Sequence, residues 1–201
     1  MAVTEFTFKQ AMDLISTPKV ILEGDGKTVC ASKQIDCIPG LHENITLRSY
    51  DEEFLFSWTI NRSSKELIKL SLHVLEKDSH VGIFRVDYVS NDSIHPNPAI
   101  ATVDVPDELK RFAGKEISGP HAHFNIAGYK NLQWAVPLNE INYSVKSIVD
   151  EQNHIDAGSA IQCFAKYINT AICNFLTRCK SSAICCTINL TIHGSCSGRR
   201  I

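Results

Sequence analysis

Three histidines and one arginine are the residues in this chain whose types and spacing suit chemistry. In Gly119-Pro120-His121-Ala122-His123-Phe124 two imidazoles stand one residue apart. Side chains on a strand alternate between faces, so His121 and His123 would project together, with Phe124 on the opposite, core-facing side. A third imidazole, His95, stands in Ser90–Pro98, the loop that follows a segment carrying Arg85 and Asp87. Three uses fit such a set: an acid/base pair, a metal centre, or a polar sheet face with no catalytic task.

Metal-independent cleavage of RNA is the leading expectation. It needs a base for the 2′-hydroxyl, an acid for the leaving oxygen and a cation for the phosphorane charge. An imidazole titrates near neutral pH, so His121 and His123 could share the proton transfers, and no cofactor is required. Arg85 or Arg62 could hold the phosphate through two parallel hydrogen bonds. Tyr129 or Trp134 could stack a base, and His95 and Asn97 would complete the pocket. The metal alternative assigns His95, His121 and His123 as three ligands around an open position, a count used by some catalytic zinc sites. The pair resembles cupin-type centres, but the carboxylate those require a few residues on is replaced here by Ile126-Ala127-Gly128. The third alternative is a non-enzymatic protein that binds and modulates a macromolecular partner, with the exposed segment 90–118 at its interface.

Composition narrows the setting. The 201 residues are 44% hydrophobic and 21% charged, with a net charge of −2, which describes one ordinary globular domain. No overall basicity points to a large nucleic-acid surface. The N-terminus lacks a basic start and an apolar signal region, and no apolar run reaches membrane-spanning length, so the expected location is the cytoplasm with no membrane partner. Thiols there are reduced, and the eight cysteines are expected to be free. Cys173, Cys179, Cys185 and Cys186 cluster near the C-terminus, where buried core thiols are the simpler reading. Gly26-Lys27-Thr28 ends like a phosphate-binding loop, but Ile21 stands in place of the opening glycine, so a turn is expected.

The elements that must position the histidines read as follows. Thr7 caps a short amphipathic helix over 6–16, with Pro18 beyond its end. Strand-like pieces follow at KVILEG and KTVCAS. Alternating segments NITLRS, EEFLFSWTI and KELIKLSLHVLE, with turns at 49–51 and 61–64, predict an antiparallel meander. VGIFRVDYV continues it, and after the polar stretch 90–118 two short strands come at HAHFNIAG and LQWAVPL. Strand 83–89 and strand 121–126 are the natural neighbours that would gather Arg85, Asp87 and the histidines. Asp107–Arg111 is expected as a solvated helical turn. Apolar Ile161, Phe164, Ala165, Ile168, Ile172 and Phe175 predict a long helix over 156–180, capped by Asp156. The whole is an α+β fold: one antiparallel sheet, a short N-terminal helix and a long C-terminal helix packed on it. Residues 1–180 form the domain, and 181–201 a strand and basic tail.

Six short pieces in order also resemble an uncharacterised family of small bacterial proteins, frequent in mobile and prophage-like gene neighbourhoods. They are Ile60-Asn61-Arg62, Arg85-Val86-Asp87, His95-Pro96-Asn97-Pro98, Gly119-Pro120-His121-Ala122-His123, Gly128-Tyr129 and Trp134-Ala135-Val136-Pro137-Leu138. They span about two-fifths of the chain. An acid and a lysine of that pattern are replaced, with Ala127 and Gln133 near their places, and Ala99–Ile117 is longer. The resemblance brings no established activity. It implies a toxin or phage-defence setting, with RNA or a protein partner such as a cognate antitoxin or a host or phage factor.

Overall fold

The computed structural model describes residues 5–30, 32–149 and 155–171, together with the backbone of 178–179 and 186–191. Helix α1 is Phe8–Ser16. Its start is a reciprocal cap, in which the Thr7 hydroxyl accepts from Gln10 N and the Gln10 side chain accepts from Thr7 N, two otherwise orphaned donors satisfied together. The strands that follow are β1 (Lys19–Ile21), β2 (Ser32–Asp36), β3 (His42–Ser49), β4 (Leu55–Arg62), β5 (Leu70–Glu76) and β6 (Gly82–Tyr88). After β6 come β7 (Ile94–Pro96), the short helix α2 (Asp107–Lys110), β8 (Glu116–Ser118), β9 (His121–Phe124) and β10 (Trp134–Pro137). Helix α3 (Ala157–Tyr167) and strands β11 (Arg178–Cys179) and β12 (Cys186–Thr191) complete the order.

Seven strands form one sheet in the order β1-β3-β4-β5-β6-β9-β10, antiparallel at every pairing. The α+β class and the meander therefore stand, and β6 pairs with β9 as its neighbour across the long connection. One face of the sheet carries Trp58, Phe84 and Phe124 and is covered by the two helices. The Phe8 ring lies 5.8 Å from Phe124, Phe164 stacks 5.9 Å from Trp58, and Tyr167 stacks 4.7 Å from Phe84. These rings anchor the apolar core, whose burial is the main drive to fold.

The long C-terminal helix is a correction. Helix α3 has 11 residues and starts at the expected Asp156 cap, whose carboxylate accepts from Ser159 N. It stops because Asn169 takes φ 52°. The Thr170 N–H then bonds Ala165 O and the Asn169 N–H bonds Lys166 O, the paired closure that ends many helices at a left-handed residue. Asn is the side chain apart from Gly that tolerates this conformation best. The core positions Ile161, Phe164, Ala165 and Ile168 are buried as their spacing requires. Ile172, Phe175, Cys173 and Cys185 lie outside the described residues. Cys179 belongs to a strand and stands in register with Cys186, which overturns its placement in a helix. β12 pairs with β2, so a strand is present in the tail region.

Other differences are local. β4 runs through Arg62, and the turn forms two residues later than expected, where Ser63 Oγ accepts from Lys65 N and Glu66 N. KTVCAS contributes a single bridge, Val29 to Leu22, while the paired strand is β2. Gly26-Lys27-Thr28 is the expected turn, held by Asp25 Oδ1 accepting from Lys27 N and Thr28 N. The stretch 90–118, expected as a polar loop, contains the β7–β8 hairpin, and α2 is the expected helical turn. Cys30 and Cys163 are free and buried, and Cys37 is buried. Among the described residues no helix is long and apolar enough to cross a membrane.

Candidate functional site

The site lies on the sheet face opposite the helices. Two cross-strand rows run over it. Thr59, His73, Arg85, His123 and Ala135 share one row, and Asn61, Ser71, Asp87, His121 and Pro137 share the next. The period of two in a strand puts all of these on one face. That face is not wet at its centre. His121 is 4% and His123 0% exposed, because the chain from 89 to 119 folds back across them.

Asn97 secures that cover. Its amide accepts from Ala135 N and donates to Ala135 O and Phe112 O, so a side chain pairs with β10 as a strand would. This brings His95 over the sheet. The His95 ring centroid is 4.7 Å from that of His123 and 5.7 Å from that of His121, and the latter two are 4.7 Å apart.

Each imidazole spends one nitrogen on a main-chain carbonyl. His121 Nδ1 lies 2.6 Å from Gly119 O, His123 Nδ1 2.9 Å from Leu132 O, and His95 Nε2 2.8 Å from Gln133 O. A carbonyl only accepts, so all three nitrogens carry hydrogen and the tautomers are set. The carbonyls are placed by unusual backbone. Gly119 has φ +69° and Leu132 φ +54°; the latter is strained for a branched side chain. A Cβ on Gly82 would meet Leu132 Cδ1 and His73 Nε2 at 2.7 Å, so the glycine lets the Leu132 loop approach the sheet and present its carbonyl. The ring nitrogens not bonded to a carbonyl are then Nε2 of His121, Nε2 of His123 and Nδ1 of His95. The three side chains can offer ligand atoms within 4.8 Å of one another.

Asp87 and Arg85 sit beside them. Asp87 Oδ2 is 3.1 Å from His123 Nε2 and 3.8 Å from His121 Nε2, and Ser71 donates to Asp87 Oδ1 at 2.6 Å. Arg85 Nε lies 2.9 Å from Asp87 Oδ2 as an ion pair, and Arg85 Nη2 donates to His123 Nε2 at 2.7 Å. Burial drives the His123 ring down to about 4, with the Arg85 charge pushing the same way against Asp87. Burial also lowers His121. Both rings are therefore neutral at pH 7, with lone pairs available. Burial alone would raise the Asp87 carboxyl, but its polar and charged neighbours, the Arg85 guanidinium and the Ser71 hydroxyl among them, outweigh it and hold the group well below the usual range. A cavity of about 320 Å³ opens on this group, lined by Lys69, Ser71, Arg85, Asp87, His95 and His121 among others.

The structure thus brings together His95, His121, His123 and Arg85, and parts the other four candidates from them. Arg62 is in register with Leu70 and Tyr88, on the helix-covered face, where it is buried and donates to Cys37 O; it borders a neighbouring cavity. Asn97 is a structural clamp. Trp134 is fully buried and offers no face to a base. The Tyr129 hydroxyl donates to Ile100 O and accepts from Thr102 N, with its ring against Trp134, so it ties down a loop. Sequence reasoning missed His73, Ser71 and Lys69. The signal was the polar alternation Ser71-Leu72-His73 on β5, in register with Asp87 and Arg85. Burial drives His73 down to about 4, so it is a neutral neighbour of the Arg85 charge.

An antiparallel seven-stranded sheet with helices on one face and a three-imidazole, Asp–Arg cluster under a folded-back hairpin defines the class. The chain belongs to the family of unknown function DUF6978, which matches residues 6–170, as the expectation of an uncharacterised family required. No curated protein and no solved structure matches the chain.

Proposed function

We propose that this protein is a metal-dependent phosphodiesterase acting on RNA, with His95, His121 and His123 holding a divalent transition-metal ion, zinc in the simplest case. One observation carries the reading: each of three clustered imidazoles donates one ring N–H to a main-chain carbonyl. Metal-ligating histidines are oriented in this way, and the arrangement fixes the tautomer and the ring direction. Tetrahedral zinc would hold its nitrogens roughly 3.3 Å apart, from bonds of about 2.0–2.1 Å. The present spread of up to 4.8 Å calls for a contraction of up to about 1.5 Å. It also calls for Arg85 to leave the His123 lone pair, which its partly exposed side chain permits.

When bound, the ion supplies a Lewis acid and a water of lowered pKa. The protein's own contributions are separable. Arg85, turned toward the cavity, holds a non-bridging phosphate oxygen, and Lys69 adds a second cation at the rim. Ser71 and Arg85 keep Asp87 oriented toward the His121 and His123 rings. The hairpin over β9 keeps bulk water from the two inner ligands. The toxin or phage-defence role and a mobile-element setting belong to this reading as its biological context.

The metal-independent pair is the second reading. Against it, His123 has no exposed surface, uses both nitrogens and is neutral at pH 7, so it neither reaches a 2′-hydroxyl nor donates a proton to a leaving group. The test is cleavage of single-stranded RNA by zinc-loaded protein, repeated after chelation and after zinc is returned. Loss on chelation with recovery on zinc is expected. Cleavage indifferent to chelator would restore the metal-independent pair, His121 and His123. No cleavage in any state would leave the interaction protein.

A further inference from the structure

A second cavity adjoins the first. It measures about 390 Å³ and is lined by Asn61, Arg62, Ser63, Lys65, Lys69 and Ser71 among others, with no acidic residue in its lining among the described residues. Lys69 and Ser71 line both cavities, so the two share a wall and lie end to end along one groove of the sheet face. Its floor is the cross-strand row His121, Asp87, Ser71 and Asn61. At about 4.8 Å between strands, that row spans roughly 14 Å, more than one phosphate ester covers.

The chemistry changes along this length. At the His121 end stand the imidazoles and the Asp87–Arg85 pair. At the Asn61 end there are amides, hydroxyls and two lysines on a pre-formed turn, in which Ser63 Oγ accepts from Lys65 N and Glu66 N. Lys69 pairs with Glu66 at 3.3 Å, with both side chains about half exposed. Such a surface pair is worth little, and a phosphate can take its place. Lys65 is exposed, and Asn61 and Ser64 add hydrogen-bonding groups.

We infer that this groove binds the strand flanking the reacting phosphodiester, with neighbouring phosphates held at Lys69 and at Lys65. The inference rests on the phosphodiesterase reading and narrows it. The substrate is single-stranded RNA several nucleotides long; a mononucleotide or small phosphate ester would leave the groove empty. The second cavity is too small for a duplex, and a groove of hydroxyls and amides with few cations grips the backbone without reading base edges.

The test is fluorescence anisotropy with zinc-loaded full-length protein and end-labelled single-stranded oligoribonucleotides of two and twelve nucleotides. Wild type is expected to bind the longer strand at least about tenfold more tightly. Lys65→Glu should erase about tenfold of that advantage and change the dinucleotide by less than about twofold. Lys65→Ala should lower the salt slope for the long strand by about 0.7, the share of one phosphate contact. Equal affinity for both lengths, or equal effects of Lys65→Glu on both, overturns the inference. Zinc content and dinucleotide cleavage are measured on the same samples. If both are normal while length dependence is absent, the groove alone is refuted; if zinc is not taken up and nothing is cleaved, both readings fall together.

Discussion

His123→Ala is expected to lower zinc affinity by at least about 100-fold. Outer-shell partners of metal ligands already change affinity about 10–100-fold, and His123 is itself a proposed ligand, fully enclosed. The substitution also opens a cavity, which costs about 2–3 kcal/mol by analogy with other large-to-small core changes. A change in melting temperature of the metal-free protein therefore does not decide the matter. The deciding quantity is the stabilisation added by zinc. At a hundredfold excess over Kd, wild type should gain about 2.7 kcal/mol, and His123→Ala should gain about 0.4 kcal/mol or less at the same zinc concentration. His73→Ala is the matched control, since it empties a neighbouring position in the same row without removing a proposed ligand. Equal zinc gains in wild type and His123→Ala would remove His123 from the centre.

The largest expected effect on stability lies elsewhere, at Lys19. Its ammonium is fully buried and donates to Leu14 O, Ile15 O, Thr17 O and Ile168 O at 2.6–3.0 Å, with the Phe56 ring 4.8 Å away. Leu14 and Ile15 belong to the last turn of α1, whose carbonyls have no partner within the helix, and Ile168 closes α3. One side chain thus satisfies the ends of both helices that cover the sheet, where their dipoles favour a cation. Burial draws the group down to about 7. Four acceptors work against that and call for all three N–H donors, so the charge stays in the fold. Lys19→Met should cost about 3 kcal/mol or more, because several buried carbonyls lose their donor at about 1–3 kcal/mol each. Denaturant unfolding of Lys19→Met and Lys19→Arg checks this, and a loss below about 1 kcal/mol for Met would contradict it.

Lys19 also shows what a linear reading of this chain misses. Alternation and helical spacing made the meander, α1 and the start of α3 legible, since period and caps are local properties. The end of α3 was written in Asn169, but an Asn within an apolar run signals a stop only once the Lys166 and Ala165 carbonyls are seen to be met. The site was half legible. His121, His123 and Arg85 follow from strand period and neighbouring strands, and His95 from proximity to them. Arg62 lies away from the site because β4 runs two residues further than expected, which puts Arg62 on the same face as Trp58 and Ile60. Asn97, Tyr129 and Trp134 failed because polar and aromatic types do not reveal whether they serve a ligand or the fold. The hairpin inside 90–118, which buries the histidines, is held by long-range bonds such as Asn97 to Ala135, and nothing local announces it.

The most direct measurement is cobalt(II) titration of the metal-free protein, followed by absorption spectroscopy. Three imidazoles and an open position predict one cobalt per chain, a visible band of tetrahedral intensity and no thiolate charge-transfer band, all lost in the His95→Ala/His121→Ala/His123→Ala variant. Binding that persists in that variant, or a spectrum dominated by thiolate from the eight cysteines, would contradict a histidine metal centre.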